Sequence, residues 1–119
     1  MNNKVIEIAL STYGADGGNR NFPWCALWLN GVLTEAGKQA TSSLLARSFQ
    51  DLGEPTSTPK LGDIVVLWRE SPESWKGHAG FFVRETEEKI FILGGNQDGI
   101  VKIKAYPKWQ LLDYRTNYA

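Results

Sequence analysis

The sequence predicts an α+β domain in which N-terminal helices pack on one face of a mainly antiparallel, five-stranded sheet. Two observations carry this. Apolar residues recur at intervals of three and four up to about residue 53, and from about residue 62 the period changes to two. Helical segments therefore come first and strands second, without the alternation that builds a parallel sheet. At 119 residues the chain has the length of one domain, residues 1–119, able to bury one core but not two.

In "KVIEIALSTYG", Val5, Ile6, Ala9, Leu10 and Tyr13 lie at helical spacing, and Gly14 supplies the stop. "GADGGNRN" then reads as a connector; no strand precedes it, so it is not a phosphate cradle. Asn21 caps a second helix that tolerates Pro23 in its first turn, runs to about Ala36 and ends at Gly37. A third helix is expected in "TSSLLARSFQDLG", capped by Ser42 or Ser43, striped by Leu44, Leu45, Ser48 and Phe49, and closed by Gly53. "EPTSTPK" is a linker. The strands follow as "GDIVVLWRE", "GHAGFFVRE", "KIFILGGNQ", "GIVKIKAYP" and "LLDYRTN".

Lys plus Arg equals Asp plus Glu at 13 each, which gives no basic excess for a phosphate backbone and argues against nucleic acid as a partner. With 1 Cys and 1 His, neither a disulfide framework nor a Cys/His metal site is expected, and no cofactor motif is present. No segment reaches membrane-spanning length, and Glu7 interrupts the N-terminal apolar stretch. The expectation is therefore a protein made in the cytoplasm without a signal peptide and without membrane insertion.

Stepping by three and four from Cys25 gives Leu29, Val32 and Ala36, so the thiol lies on the helix face that turns toward the sheet. A lone cysteine commonly packs as a small hydrophobe. Its place near a helix start argues otherwise, because free N–H groups and the positive dipole end favour a thiolate and can donate to an oxyanion. His78 stands between glycines in "KGHAGFFV", and Asn96 follows a double glycine in "ILGGNQDG". Asn96 is expected to hold His78 Nδ1, leaving Nε2 to face Cys25. Strict alternation sends Asn96 and Gln97 to opposite faces, a bulge at Gly94-Gly95 would shift that phase by one residue, and Asn96 is the residue favoured. Cys on a helix start, His on one strand and a polar residue on the next is the chain order of papain-like thiol enzymes.

"PWCALW", "PKLGDIVVLWRESPESWKGHAGFFV", "ILGGNQ" and "YPKWQLLDYR" together resemble the NlpC-type and CHAP-type peptidoglycan-hydrolysing cysteine peptidases, notably a compact branch with Trp-Cys-Ala and Gly-Gly-Asn-Gln. The resemblance spans about residues 22–115. It implies a papain-like fold, Cys25 as nucleophile, His78 as general base and Asn96 as the orienting residue. It further implies bacterial peptidoglycan as substrate, cut within the stem peptide or at the amide joining peptide to glycan.

Of the tryptophans, Trp28, Trp68 and Trp109 sit in apolar patterns and are assigned to the core, whereas Trp24 and Trp75 are candidates for a substrate groove, with Gln97 beside them. The segment before Cys25 is short for the family, so part of the groove is expected either to be missing or to come from another chain of a phage or secretion assembly. The rival class is a catalytically idle wall-binding or structural module on the same fold. Acyl transfer from the same thioester is a third possibility.

Overall fold

The helical periods of the N-terminal third become α1 (Asn3–Ser11) and α2 (Cys25–Glu35) in a computed structural model that describes residues 3–18 and 24–118. α1 buries Val5 and Ala9 but ends before Tyr13, and both Leu10 and Tyr13, expected in its apolar stripe, are exposed. The chain turns there because sheet pairing competes with the helix. Gly14 N–H donates to the Val101 carbonyl at 2.8 Å and Val101 N–H donates to the Ala15 carbonyl at 2.9 Å.

The predicted cap Asn21 and Pro23 lie outside the described residues. Within them α2 begins at Cys25 itself, so the cysteine is the first helical residue and not one turn in. Cys25, Ala26, Leu29, Val32 and Leu33 form the buried stripe, which lies on β3 (Gly77–Glu85) and β4 (Lys89–Gln97). The helix closes on Gly37 at φ +74°, with Gly37 N–H donating to Thr34 and Lys38 N–H to Leu33. This pair of bonds satisfies the last carbonyls and requires a left-handed residue, which glycine adopts without penalty.

The third helix predicted from residue 41 shortens to a 3-10 helix, Ala46–Asp51. Asn30 of α2 explains the loss. Its Oδ1 accepts the Thr41 N–H at 2.8 Å and its Nδ2 donates to the Ser43 carbonyl at 3.0 Å, holding residues 41–43 out of a helix. Leu44 and Leu45, expected in the stripe, are left exposed beside it.

The sheet has six strands, not five: β1 (Glu54–Pro55), β2 (Ile64–Trp68), β3, β4, β5 (Ile100–Pro107) and β6 (Leu111–Thr116), in the order β1-β6-β2-β3-β4-β5. All neighbours run antiparallel. The additional strand comes from the predicted linker. It pairs with β6, while Arg115 donates to the carbonyls of Leu52 and Gly53 at 2.8 and 2.9 Å. Buried Asp63 anchors the entry to β2 by accepting from Thr116 Oγ1 and from the Lys60 N–H. The architecture is thus α+β, with two helices and two 3-10 turns on an antiparallel sheet among the described residues. No helix among them is long and apolar enough to cross a membrane.

β5 and β6 are separated in the sheet by β4, β3 and β2, yet only Lys108–Gln110 joins them. The sheet must therefore curl until its distant strands approach, and register shifts at Val66/Leu67, Phe82/Arg84 and Gly94/Gln97 supply the bends. Curling gives the sheet two buried faces. Ile64, Val66, Ala79, Phe81 and Leu93 pack against the helices, whereas Val65, Leu67, Phe82, Ile90, Ile92 and Tyr114 form a second cluster inside the curl.

Candidate active site

Cys25, 4% exposed, stands at the first position of α2 and packs in the same cluster as Ala79. Helix geometry leaves the first N–H groups without intrahelical partners. Burial pushes the thiol above its usual range. The Ala79 N–H, the Arg69 charge and the N–H groups of Ala26 and Cys25 all act in the opposite sense, because each favours negative charge on sulfur. Cys25 borders a cleft of about 490 Å³ whose other walls are Leu44, Leu45, Ala46, Arg69, Trp75, Lys76 and Gly77.

His78 begins β3 one residue after Gly77, and strand alternation carries its side chain to the face inside the curl. It pairs across the ladder with Leu67, and its ring lies 5.3 Å from that of Tyr106, both of the second cluster's face. Its Nε2 lies 2.8 Å from Gln97 Oε1. The direction of that bond follows from Gln97's other contacts. Gln97 Nε2 donates to the carbonyls of Ile92 and Lys102 at 3.1 and 2.5 Å, which fixes the amide with its oxygen toward the ring. Gln97 Oε1 also accepts from Tyr106 at 3.0 Å. An amide oxygen can only accept, so Nε2 carries the proton and Nδ1 is the basic nitrogen.

The sequence reading assigned these roles the other way round, with Asn96 on Nδ1. The bulge decides the matter: Gly94 pairs with Lys102 and Gln97 with Ile100, leaving Gly95 and Asn96 looped out, with Asn96 at φ +55°. Gln97 rather than Asn96 then reaches the ring. Gly94 permits the approach, since a Cβ there would stand 2.8 Å from Gln97 Oε1 and 3.4 Å from His78 Nε2. A Cβ on Gly80, by contrast, would fall on the Ile92 side chain.

Burial also disfavours an ion pair between Cys25 and His78. Complete burial lowers the imidazole to about 4 against the pull of the Gln97 hydrogen bond, and the charges of Arg69 and Lys104 lower it further. Both groups therefore rest neutral. No hydrogen bond joins them among the described residues; Cys25 shares its cleft with Gly77 and has the Ala79 N–H toward its sulfur, the residues on either side of His78 in the chain. Arg69 influences Cys25, His78 and Tyr106 alike.

The tryptophans divide differently from the sequence reading. Trp75 is 66% exposed and lines the cleft that Cys25 borders. Trp24 is buried, its ring where a Cβ on Gly17 or Gly95 would fall, and it lines a different hollow from the one Cys25 borders. Trp28 packs edge-on to Phe81 while donating to Thr12 Oγ1 at 2.9 Å, which suits a core role. Trp109, assigned to the core, is 68% exposed and lies against Trp68. Tyr106 and Arg69 escaped the sequence reading altogether. Tyr106 alternates with Lys102 and Lys104, which reads as an outward face until the curl turns that face inward.

The loop that carries Trp75 is held by Arg47, which donates to the carbonyls of Ser71, Pro72 and Lys76 at 2.8, 2.6 and 2.8 Å. Arg47→Met keeps the aliphatic stem and removes these bonds. It is expected to lower unfolding stability by about 1–2 kcal/mol and to speed proteolytic cleavage within residues 71–76, read by limited proteolysis.

His78 also makes stability depend on pH. Its folded value, about 4, lies below the ordinary value of 6.5, so between these pH values the unfolded chain binds the extra proton. Stability from this group is therefore full above about pH 6.5 and is lost as pH falls toward 4, by about 3 kcal/mol in total. His78 is the only histidine, so in His78→Gln that part of the pH slope of thermal unfolding should disappear.

No family model matches the chain, and no curated protein matches it.

Proposed function

We propose that the chain is a papain-like thiol hydrolase that cleaves an amide of bacterial peptidoglycan through Cys25, with His78 as base and Gln97 as the residue that orients it. The observation that carries this reading is the coincidence at one strand start. The cleft bordered by the only thiol is also lined by Gly77, and the next residue is the only histidine, with its tautomer set by Gln97. The resemblance over residues 22–115 supplies the substrate class.

Sulfur attacks the amide carbonyl while its proton passes to His78 Nδ1, a transfer that requires the two side chains to close on one another from their resting places, and that proton then goes to the departing amine. The carbon–nitrogen bond breaks, leaving a thioester on Cys25. Water, deprotonated by the same nitrogen, releases the acid and returns the thiol. Because both groups rest neutral, proton transfer accompanies attack and does not precede it. The N–H groups of Cys25 and Ala26 are the oxyanion donors. Activity should rise as pH passes about 4, where the imidazole becomes free to accept, and stay level through neutrality without the alkaline fall of a thiolate–imidazolium pair.

The test is digestion of purified peptidoglycan followed by mass spectrometry of the new ends. New amine and carboxyl termini should appear with the native chain and not with Cys25→Ala. Their position would choose between the stem peptide and the peptide–glycan amide, and intact wall after prolonged digestion would reject the reading. The 4% exposure of Cys25 and the lack of a direct Cys25–His78 hydrogen bond among the described residues favour a second reading, an idle wall-docking module of a phage or secretion assembly. Such a module would bind peptidoglycan equally well before and after Cys25→Ala and release no ends in either form. An added amine acceptor that changes the product would indicate acyl transfer.

A further inference from the structure

The cleft beside Cys25 has one charge that nothing among the described residues answers. Lys76 and Arg69 both line it. Lys76 Nζ is engaged by Glu70 at 2.5 Å. Arg69 is exposed, and among the described residues no carboxylate pairs with its guanidinium. The contrast with the other described arginines is informative. Arg47 is spent on three carbonyls, Arg115 on Asp113 and two carbonyls, and Arg84 lies over the Phe91 ring. The rest of the cleft wall is largely apolar: Leu44, Leu45 and Trp75 are 56%, 48% and 66% exposed there, an unusual cluster of large apolar side chains left open to water.

We infer that Arg69 is a specificity residue that receives a free carboxylate of the substrate, while Leu44, Leu45 and Trp75 hold an aliphatic portion next to it. The ligand class is a short peptide with an apolar side chain and an anionic group within the span of the cleft from the thiol. A guanidinium offers a planar fork that matches two carboxylate oxygens, whereas a lysine offers a point charge. The loop that carries Trp75 is fixed by Arg47, so that wall of the site is formed before the ligand arrives. This inference rests on the hydrolase reading for its link to turnover but not for binding.

The test uses N-acetyl-Leu-Ala with a free C-terminal carboxylate and the same dipeptide as its C-terminal amide, titrated into the full chain carrying Cys25→Ala. The Trp75 indole N–H resonance reports occupancy without any reaction. The carboxylate form is expected to bind roughly tenfold more tightly than the amide, a charge-assisted bond discounted for solvent exposure. Arg69→Gln should bring the two affinities within about twofold, and Arg69→Lys should keep part of the preference. Equal binding of the two forms, no binding of either, or a preference that survives Arg69→Gln overturns the inference. Wall digestion by the native chain is scored separately. Cleavage without carboxylate preference would defeat only this inference, and carboxylate preference without cleavage would defeat only the hydrolase reading.

Discussion

Cys25→Ser is expected to remove nearly all wall-degrading activity, at least about 100-fold, while the far-ultraviolet dichroism and unfolding midpoint stay close to native. The substitution is nearly isosteric, and a serine oxygen can accept from the same Ala79 N–H that faces the sulfur. Serine is a poor replacement here for a specific reason. A hydroxyl is far less acidic than a thiol and its oxygen the poorer nucleophile toward an amide carbonyl, so the same imidazole assists its attack much less. Release of new peptidoglycan ends above about a tenth of the native rate would reject Cys25 as nucleophile. Iodoacetamide gives a parallel check on the resting thiol: with burial raising its pKa, alkylation at mildly acidic pH should be slower than for a free thiol.

The second large effect is expected at Gln97. Gln97→Leu removes at once the acceptor of His78 Nε2–H and of the Tyr106 hydroxyl, and the donor to the carbonyls of Ile92 and Lys102. Those partners are left in a buried site, so unfolding stability should drop by about 2–4 kcal/mol in denaturant titration. Turnover should fall roughly 10- to 1000-fold beyond what the folded fraction explains, because the imidazole loses its fixed tautomer. Asn96→Gly is the counterpart. It keeps the left-handed backbone at φ +55° and removes a side chain that does not reach His78, and is expected to leave turnover within about threefold. If Asn96→Gly did the greater damage, the assignment of Gln97 as the orienting residue would have to be abandoned.

These two sites differ in how far they were legible beforehand. The stripe of Cys25, Leu29 and Val32 is local, and helix geometry alone turns it to the sheet, where all three are found buried. The strand segments were likewise legible from alternation, and β2 through β6 fall where it places them. Asn96 against Gln97 was not legible, because a one-residue bulge reverses every side chain beyond it and leaves no trace in the period before it. Trp24 and Trp109 failed for a similar reason. Whether a large aromatic residue is covered depends on what arrives from elsewhere in the chain: glycines at 17 and 95 accept Trp24, and nothing comparable among the described residues covers Trp109.

What the sequence by itself determined is the set of properties that depend on composition and on neighbours three or four residues away. These are the α+β order, the end of α2 at Gly37, the balanced charge and the single thiol and imidazole available for chemistry. The tertiary structure alone decided the state of that chemistry. Only the curl of the sheet brings Tyr106 onto His78, and only the bulge at Gly95 and Asn96 delivers Gln97 to its ring. Removal from water then leaves thiol and imidazole both neutral, although the place at a helix start favours a thiolate. The physical reason is that periodicity reports which side of an element is buried, while protonation depends on how completely every other element excludes water from that side.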